Sequence, residues 1–305
     1  MTTTIVYHEV KDGVPCPDGL AAAWVAKRAY PDAQVVGWTY QRAQEEHPSP
    51  AADELLIVVD FSFPASVIET WIQNNVEFTI IDHHKTAQQE LERFQVGAFG
   101  HTLLSGYSKW EVNFDMSECG ATLAWERFFP AQSVPIFLKY IRDRDLWRHE
   151  LPKTHEYHAA YEPLRKAYPT VDDRFKLYDF LATLSPKQLE LFLLPLGTKA
   201  LAQRREKVEA ISSRQIKAFV AGYEGIPVVV MHHDGSEDWA TSDVCHALLK
   251  QHPMALFSAC YLSTGVWSLR SDKDGLNTDV GAIAKSMGGG GHHNAAGFSP
   301  SVPAE

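Results

Sequence analysis

The segment Phe78-Thr79-Ile80-Ile81-Asp82-His83-His84 sets one carboxylate and two imidazoles directly behind a run of apolar and β-branched residues. Such a run reads as a buried strand, and its polar end falls where ligands sit in parallel α/β sheets, at the carboxyl edge. Carboxylate and neutral imidazole are donors suited to divalent first-row cations. Alone, the triplet fits a loop cap with one solvent-facing histidine better than a metal site, so the chemistry depends on partners elsewhere in the chain.

Candidate partners recur at other strand ends. Residues 5–7 form a short apolar strand ending at His8, and a polar turn leads to Asp18-Gly19 and a helix with Asp18 at its positive end. Residues 55–59 are a fully apolar strand ending in Asp60, followed by a helix over 66–74, and residues 35–40 read as a further strand. This alternation predicts an α/β chain with an N-terminal doubly wound parallel sheet. His8, Asp18, Asp60, Asp82, His83 and His84 would then share one sheet edge. Asp143 and Asp145, interleaved with arginines, add two acids in a stretch that alone reads as a solvated turn.

Beyond residue 115 the pattern is mostly helical, over 119–129, 134–141 and 175–194, with a break at Ser185-Pro186 and a stop near Pro195. Residues 199–220 are the longest helical candidate, rich in Ala, Arg, Lys, Glu and Gln. Strands return over 226–231, 254–261 and 266–270. The expected organisation is a metal-binding domain with a helical part over 1–195, a long linker helix over 196–222, and a smaller α/β domain over 223–305. Near the end, Gly288 to Gly291 precede His292-His293-Asn294-Ala295-Ala296-Gly297. Four glycines let backbone N–H groups approach an anion, and the Ala-rich turn after them is expected to start a helix.

The donor set contains hard and borderline groups and no thiolate pair, which suits two Mn²⁺ or Mg²⁺ ions better than a structural zinc. Two such ions close together activate a nucleophile and neutralise charge developing at phosphorus. The formal charge is −10, from 28 basic and 38 acidic residues, which argues against a track for long duplex nucleic acid. The four cysteines, Cys16, Cys119, Cys245 and Cys260, form no CxxC pair; reduced cytoplasmic thiols are expected. The N-terminus lacks the pattern of a signal peptide, and no stretch has the length of a membrane-spanning helix.

At this point the sequence resembles the DHH phosphoesterases, through Asp82-His83-His84, and in particular the stand-alone members with the DHH-associated C-terminal domain, through Gly289-Gly290-Gly291-His292 and Ala295-Ala296-Gly297. The resemblance covers nearly the whole chain. It implies that His8, Asp18, Asp60, His83 and Asp143 bind metal, with Asp60 bridging both ions. Asp82 would orient a histidine and His84 would sit near the scissile phosphate. Asp143, with Trp147 and Arg148, fits the family's spacing, and Asp145 is the second choice. Arg270, Ser271, Gly289, Gly290, Gly291 and His292 would bind substrate. One departure stands out: Cys16 occupies a position where the family carries an aspartate, after an insertion over residues 9–15. It could ligate as thiolate, hold a water, or be a small loop residue, with Asp12 as a candidate substitute.

The resemblance implies a metal-dependent phosphodiesterase of the oligoribonuclease type, with Mn²⁺ preferred over Mg²⁺ or Co²⁺, acting on linear dinucleotides such as pGpG or pApA to give nucleoside 5′-monophosphates. A cyclic-dinucleotide or bisphosphate-nucleotide phosphatase, a single-strand exonuclease, and a nucleotide sensor with an impaired metal site are the alternatives. The expected partner is a small nucleotide, with no membrane, for a monomer or homodimer.

Overall fold

The computed structural model describes residues 2–51, 53–95 and 109–299. They fall into two compact units, Met1–Ala200 and Leu201–Glu305. In the first, apolar and β-branched runs form β1 (Thr2–Lys11), the two-residue β2 (Val14–Pro15), β3 (Gln34–Trp38), β4 (Glu54–Val59), β5 (Glu77–Asp82) and β6 (Trp110–Phe114). Strands β3, β1, β4, β5 and β6 lie side by side in that order, all parallel, with Ile5 opposite both Val35 and Ile57, and Ile80 opposite Val58 and Val112. The chain moves outward from β1 in one direction to β3 and in the other to β4. This makes the β1/β4 carboxyl edge the topological switch point of the sheet, the usual crevice for a ligand.

Side-chain alternation splits the strands between two cores. Ile5, Tyr7, Ile57, Val59 and Ile81 face helices α1 (Pro17–Ala29), α4 (Gly120–Phe128), α5 (Ile136–Asp145) and α8 (Val171–Ala182). Val6, Leu56, Val58, Phe78 and Ile80 face α2 (Ala65–Gln73) and α3 (Lys85–Leu91). The expected mixed α/β class with a parallel sheet is thus present. The insertion after His8 is a hairpin, in which β1 runs on to Lys11, turns at Gly13 with φ +72°, and returns as β2.

Helices α6 (Thr154–Ala159) and α7 (Tyr161–Ala167) precede α8, and α9 runs over Pro186–Ser212. The expected stop at Pro195 does not occur. Proline removes one N–H from the ladder, but Leu189 and Leu193 are buried before it and Leu196 packs on the same core after it. Gly197 of α9 lies so close to the Glu156 carbonyl that a Cβ would run into it. Gly197→Ala is therefore expected to destabilise the fold by about 1–3 kcal/mol through overpacking, read as a lower melting temperature.

The second unit holds β7 (Ile216–Val220), β8 (Tyr223–Val230), α10 (Thr241–Gln251), β9 (Ser258–Tyr261), β10 (Trp267–Arg270), α11 (Val280–Ser286), β11 (Gly290–His292) and β12 (Ala295–Phe298). Its mixed sheet runs β11-β12-β10-β9-β8-β7, with α11 on one face and α10 on the other. Two expectations are corrected here. The helix expected over 199–220 ends at Ser212, and residues 216–220 are a strand, as suits Ile216, Phe219 and Val220; Ala221 and Gly222, both at positive φ, turn it into β8. Residues 295–298 form β12 rather than a helix, and a Cβ on Gly289 or Gly291 would collide with that strand. These two glycines are required by hairpin packing. Among the described residues no helix is long and apolar enough to cross a membrane.

Candidate metal centre

Strand β1 carries His8 at the sheet's edge, β4 runs into Asp60, β5 ends in Asp82, and His83 and His84 follow directly. Helix α1 supplies Asp18 from its first turn and Cys16 as its N-cap residue. These side chains meet at the switch-point edge. His83 Nε2 lies 3.0 Å from Asp60 Oδ1, 3.6 Å from Asp18 Oδ2 and 3.5 Å from Asp145 Oδ2. On the other side of Asp60, His8 Nδ1 is 3.6 Å from Oδ2. Among the described residues three groups have donor atoms mutually within 4.8 Å: His8, Cys16 and Asp60; Asp60, His83 and His84; Asp18, His83 and Asp145. Asp60 belongs to two of them, one oxygen turned toward His83 and the other toward His8.

Backbone geometry fixes this arrangement. Asp60 adopts φ +54°, a conformation rare for residues with a Cβ and frequent at functional sites. Asp18 accepts hydrogen bonds from the N–H groups of Gly120 and Ala121 at 2.6 and 2.9 Å, at the start of α4. A Cβ on Gly120 would lie 2.6 Å from that of Asp60, so only glycine lets the helix approach. Asp82 is fully buried. Its Oδ2 accepts from Ser62 Oγ at 2.6 Å, while Oδ1 accepts from the His83 and His84 N–H groups and faces His84 Nδ1 at 2.7 Å. Nδ1 of His84 is thereby held, leaving Nε2 as the free ring nitrogen. Tyr40 stands edge-on to both His8 and His84, with ring centroids 5.1 and 5.5 Å away.

The electrostatics are those of a site short of positive charge. Burial, with the Asp60 and Asp145 carboxylates nearby, raises the Asp18 pKa well above the usual carboxyl range. Burial alone would raise Asp60 as well, but the imidazoles of His8 and His83 more than reverse that and hold it low. For His83, burial favours the neutral ring, yet the bond to Asp60 and the Asp18 charge prevail and push it up to about 9. Cys16 is pushed up by burial and by the Asp60 and Asp18 charges, so without a cation it is a thiol. His8 Nδ1 and Asp60 Oδ2 are buried without a hydrogen-bond partner. Buried polar groups normally have one, and two such atoms facing each other across a pocket of acids fit a bound cation.

Asp143 does not join the cluster. Although it lies on α5 as Asp145 does, residues two apart are turned about 200° around a helix. Its carboxylate accepts from the N–H groups of Glu150 and Leu151 at 2.9 and 3.2 Å and from the Thr154 hydroxyl. Asp145 follows Ile141, which packs on the core, by one turn of α5; it is the less buried of the two acids, yet it is the one whose carboxylate faces His83. Asp12 faces Thr39 and is in none of the three groups. Gly120, Ser62 and Tyr40 were not singled out by the sequence; the small Gly120-Ala121 pair opening a helix was the available signal for the first.

Beside the cluster, with Asp18 and Asp145 in its wall, is a cavity of about 280 Å³. It is lined by Phe137, Tyr140, Tyr157 and Tyr178, and Trp147, 71% exposed, also borders it. Arg144 stacks over Trp147 at 4.0 Å. In the second unit, Arg270 pairs with Ala295, which pairs in turn with His292, so these residues sit on adjacent strands. Ser271 exchanges hydrogen bonds with Asn294, through its N–H to the Asn294 carbonyl at 3.2 Å and from Asn294 Nδ2 to its hydroxyl at 2.9 Å. Gly290, Gly291 and His292 form an exposed strand at the sheet's edge, with Gly289 immediately before it.

No known family profile matches the sequence. The uncharacterized protein R106 of Acanthamoeba polyphaga mimivirus is 28% identical over 249 residues, 80% of this chain and 52% of its own length; the chain spans about half of that curated relative. Among solved structures, RecJ from Thermus thermophilus in complex with Mn²⁺ aligns with 98% of this chain and 49% of its own, at 16% identity and a TM-score of 0.44. The pGpG-specific phosphodiesterase PggH from Vibrio cholerae aligns with 97% of this chain and 92% of its own, at 11% identity and a TM-score of 0.50. The chain therefore has a mixed α/β fold, built on a parallel sheet, of which PggH is a solved example.

Proposed function

We propose that the chain is a two-metal phosphodiesterase of the DHH type that cleaves short linear dinucleotides to nucleoside 5′-monophosphates. The observation that carries this reading is the meeting of Asp60 with His8, His83, Asp18 and Asp145 at the sheet's switch point, around buried polar atoms that lack partners. Divalent ions, when bound, supply Lewis acidity and lower the pKa of water toward neutrality. Asp60 would serve both ions through its two oxygens, with His8 on one side and Asp18, His83 and Asp145 on the other. Asp82 and Ser62 fix His84, whose free Nε2 is placed to hydrogen-bond the phosphate or hand a proton to the leaving oxygen. Mn²⁺ and Mg²⁺ suit the oxygen-rich side of the centre.

The adjoining aromatic cavity is near the lower end, about 300 Å³, of those that take small molecules, and its walls suit a nucleobase. Arg270, Ser271, Gly289, Gly290, Gly291 and His292 in the second unit are proposed to bind substrate phosphate. The likeness of fold to a protein described as pGpG-specific supports a dinucleotide. The test is hydrolysis with Mn²⁺ of pGpG, pApA, the matching cyclic dinucleotides, a trinucleotide and a longer single strand. Linear dinucleotides are expected to be cleaved fastest, to monophosphates. Absence of turnover for every substrate, with metal bound, would remove the enzyme reading.

The two acids of α5 give a paired prediction. Asp143→Ala is expected to destabilise the protein by about 2–3 kcal/mol, because it strips a buried carboxylate from three donors, while Mn²⁺ still raises the melting temperature as in wild type. Asp145→Ala is expected to fold normally and to lose much of that Mn²⁺-dependent rise. Thermal melts of both variants with and without Mn²⁺ check it, and the reverse pattern would return Asp143 to the metal site.

A further inference from the structure

We infer that Cys16 is a metal ligand, and that the His8, Cys16 and Asp60 group is a site for a borderline ion of the Zn²⁺ or Co²⁺ kind, different in preference from the Asp18, His83 and Asp145 group. The inference rests on reading the cluster as a metal centre and goes beyond it to the identity of the ions. The sulfur lies within 4.8 Å of donor atoms on His8 and Asp60, a spread nearly bridged by two metal–ligand bonds of about 2.3 Å each. Two observations independent of the cysteine point to a ligand there. His8 Nδ1 is buried without a hydrogen-bond partner, and so is Asp60 Oδ2, on a carboxylate only 1% exposed.

The backbone holds the sulfur in register. Cys16 donates its N–H to the His8 carbonyl at 3.1 Å and, as the N-cap of the 13-residue helix α1, accepts from the Leu20 N–H at 2.9 Å. Two of the three donors are thus tied together through the main chain. Burial and the Asp60 and Asp18 charges keep Cys16 a thiol without a cation, and on coordination the S–H proton leaves to solvent as the S–metal bond forms. A nitrogen, sulfur and oxygen set favours Zn²⁺ or Co²⁺, whereas an imidazole with two carboxylates suits Mn²⁺ or Mg²⁺. Asp60 takes part on both sides, so the two positions differ in donor chemistry while sharing a residue.

The experiment is a Co²⁺ titration of the metal-stripped full-length protein, followed by absorption. A sulfur-to-cobalt charge-transfer band in the near ultraviolet is expected in wild type, saturating at one thiolate per chain, and absent from Cys16→Ser and Cys16→Asp. Competition should show the preference for Zn²⁺ over Mn²⁺ falling about 10- to 100-fold in Cys16→Asp, the scale on which groups around a metal alter its affinity. Visible cobalt bands without charge transfer in wild type would overturn the inference, as would a charge-transfer band that survives in both variants. Should Cys16→Ser fail to fold, Cys16→Asp, which restores a carboxylate, carries the comparison. The hydrolysis panel separates the two readings: turnover without the band keeps the enzyme and removes the sulfur ligand, and the band without turnover does the opposite.

Discussion

Asp60→Asn is expected to lower metal-dependent diester hydrolysis by about a thousandfold, the upper scale for losing one group that stabilises transition-state charge. Among the described residues no other belongs both to the group with His8 and to a group with His83, so a single neutralised carboxylate weakens both halves of the centre. The substitution separates charge from backbone. Asp60 has φ +54°, and asparagine tolerates that left-handed conformation as aspartate does. Fold and local geometry should survive, and the loss should appear in metal binding. Wild type with Mn²⁺ at about a hundred times its Kd gains about 2.7 kcal/mol of stability by linkage; Asp60→Asn should gain far less at the same concentration. Equilibrium dialysis and thermal melts measure this alongside the rate. A variant that hydrolyses within tenfold of wild type would remove Asp60 from the shared position.

The parts of the fold and site that were legible in the sequence are those where one residue carries two signals. At residues 55–59 an unbroken apolar run required a doubly buried strand, and the acid immediately after it could only emerge at the sheet's edge; Asp60 is found there. The same reasoning placed His8 and the Asp82-His83-His84 triplet. The family spacing put Asp143 first and Asp145 second because spacing along the chain leaves open which side of a helix meets the cluster; the structure turns Asp145 toward His83 and gives the buried Asp143 to the Glu150 and Leu151 N–H groups. Pro195 misled because a proline's local effect was outweighed by leucines buried before it and by Leu196, which packs on the same core after it. Residues 216–220 misled because they follow a helix-forming stretch without a proline or glycine between, and only the turn at Ala221 and Gly222 shows the change of element. Gly120 serves two elements distant in sequence, α4 and the loop holding Asp60, so its requirement arises only when they meet.

Metal-free protein is expected to lose stability as pH rises from about 6.5 to about 9, and metal-saturated protein to show the opposite trend. The sign follows from His83. Its folded pKa is raised to about 9 against about 6.5 unfolded, so the folded state holds this proton more tightly. Its contribution is complete below the unfolded value and is lost as pH climbs through the folded one, at most about 3 kcal/mol. Asp18, also raised, acts in the same sense: its contribution is present below the ordinary carboxyl range and lost as pH rises through its folded value. Asp60, held low, is opposite; its contribution is present above the unfolded carboxyl value and is lost only as strong acid protonates it. A divalent ion reverses the neutral-to-alkaline trend, because it replaces the proton on His83 and needs Asp18 ionised. Each proton displaced strengthens binding by up to about tenfold per pH unit, and that added affinity appears as stability. Melting temperatures across this range, with chelator or with saturating Mn²⁺ in the absence of oxygen, measure both limbs. His83→Gln should flatten the metal-free limb, since glutamine has no proton to lose; a metal-free limb that is already flat in wild type would mean that His83 is neutral among its three carboxylates, and would remove the proton competition on which the reversal depends.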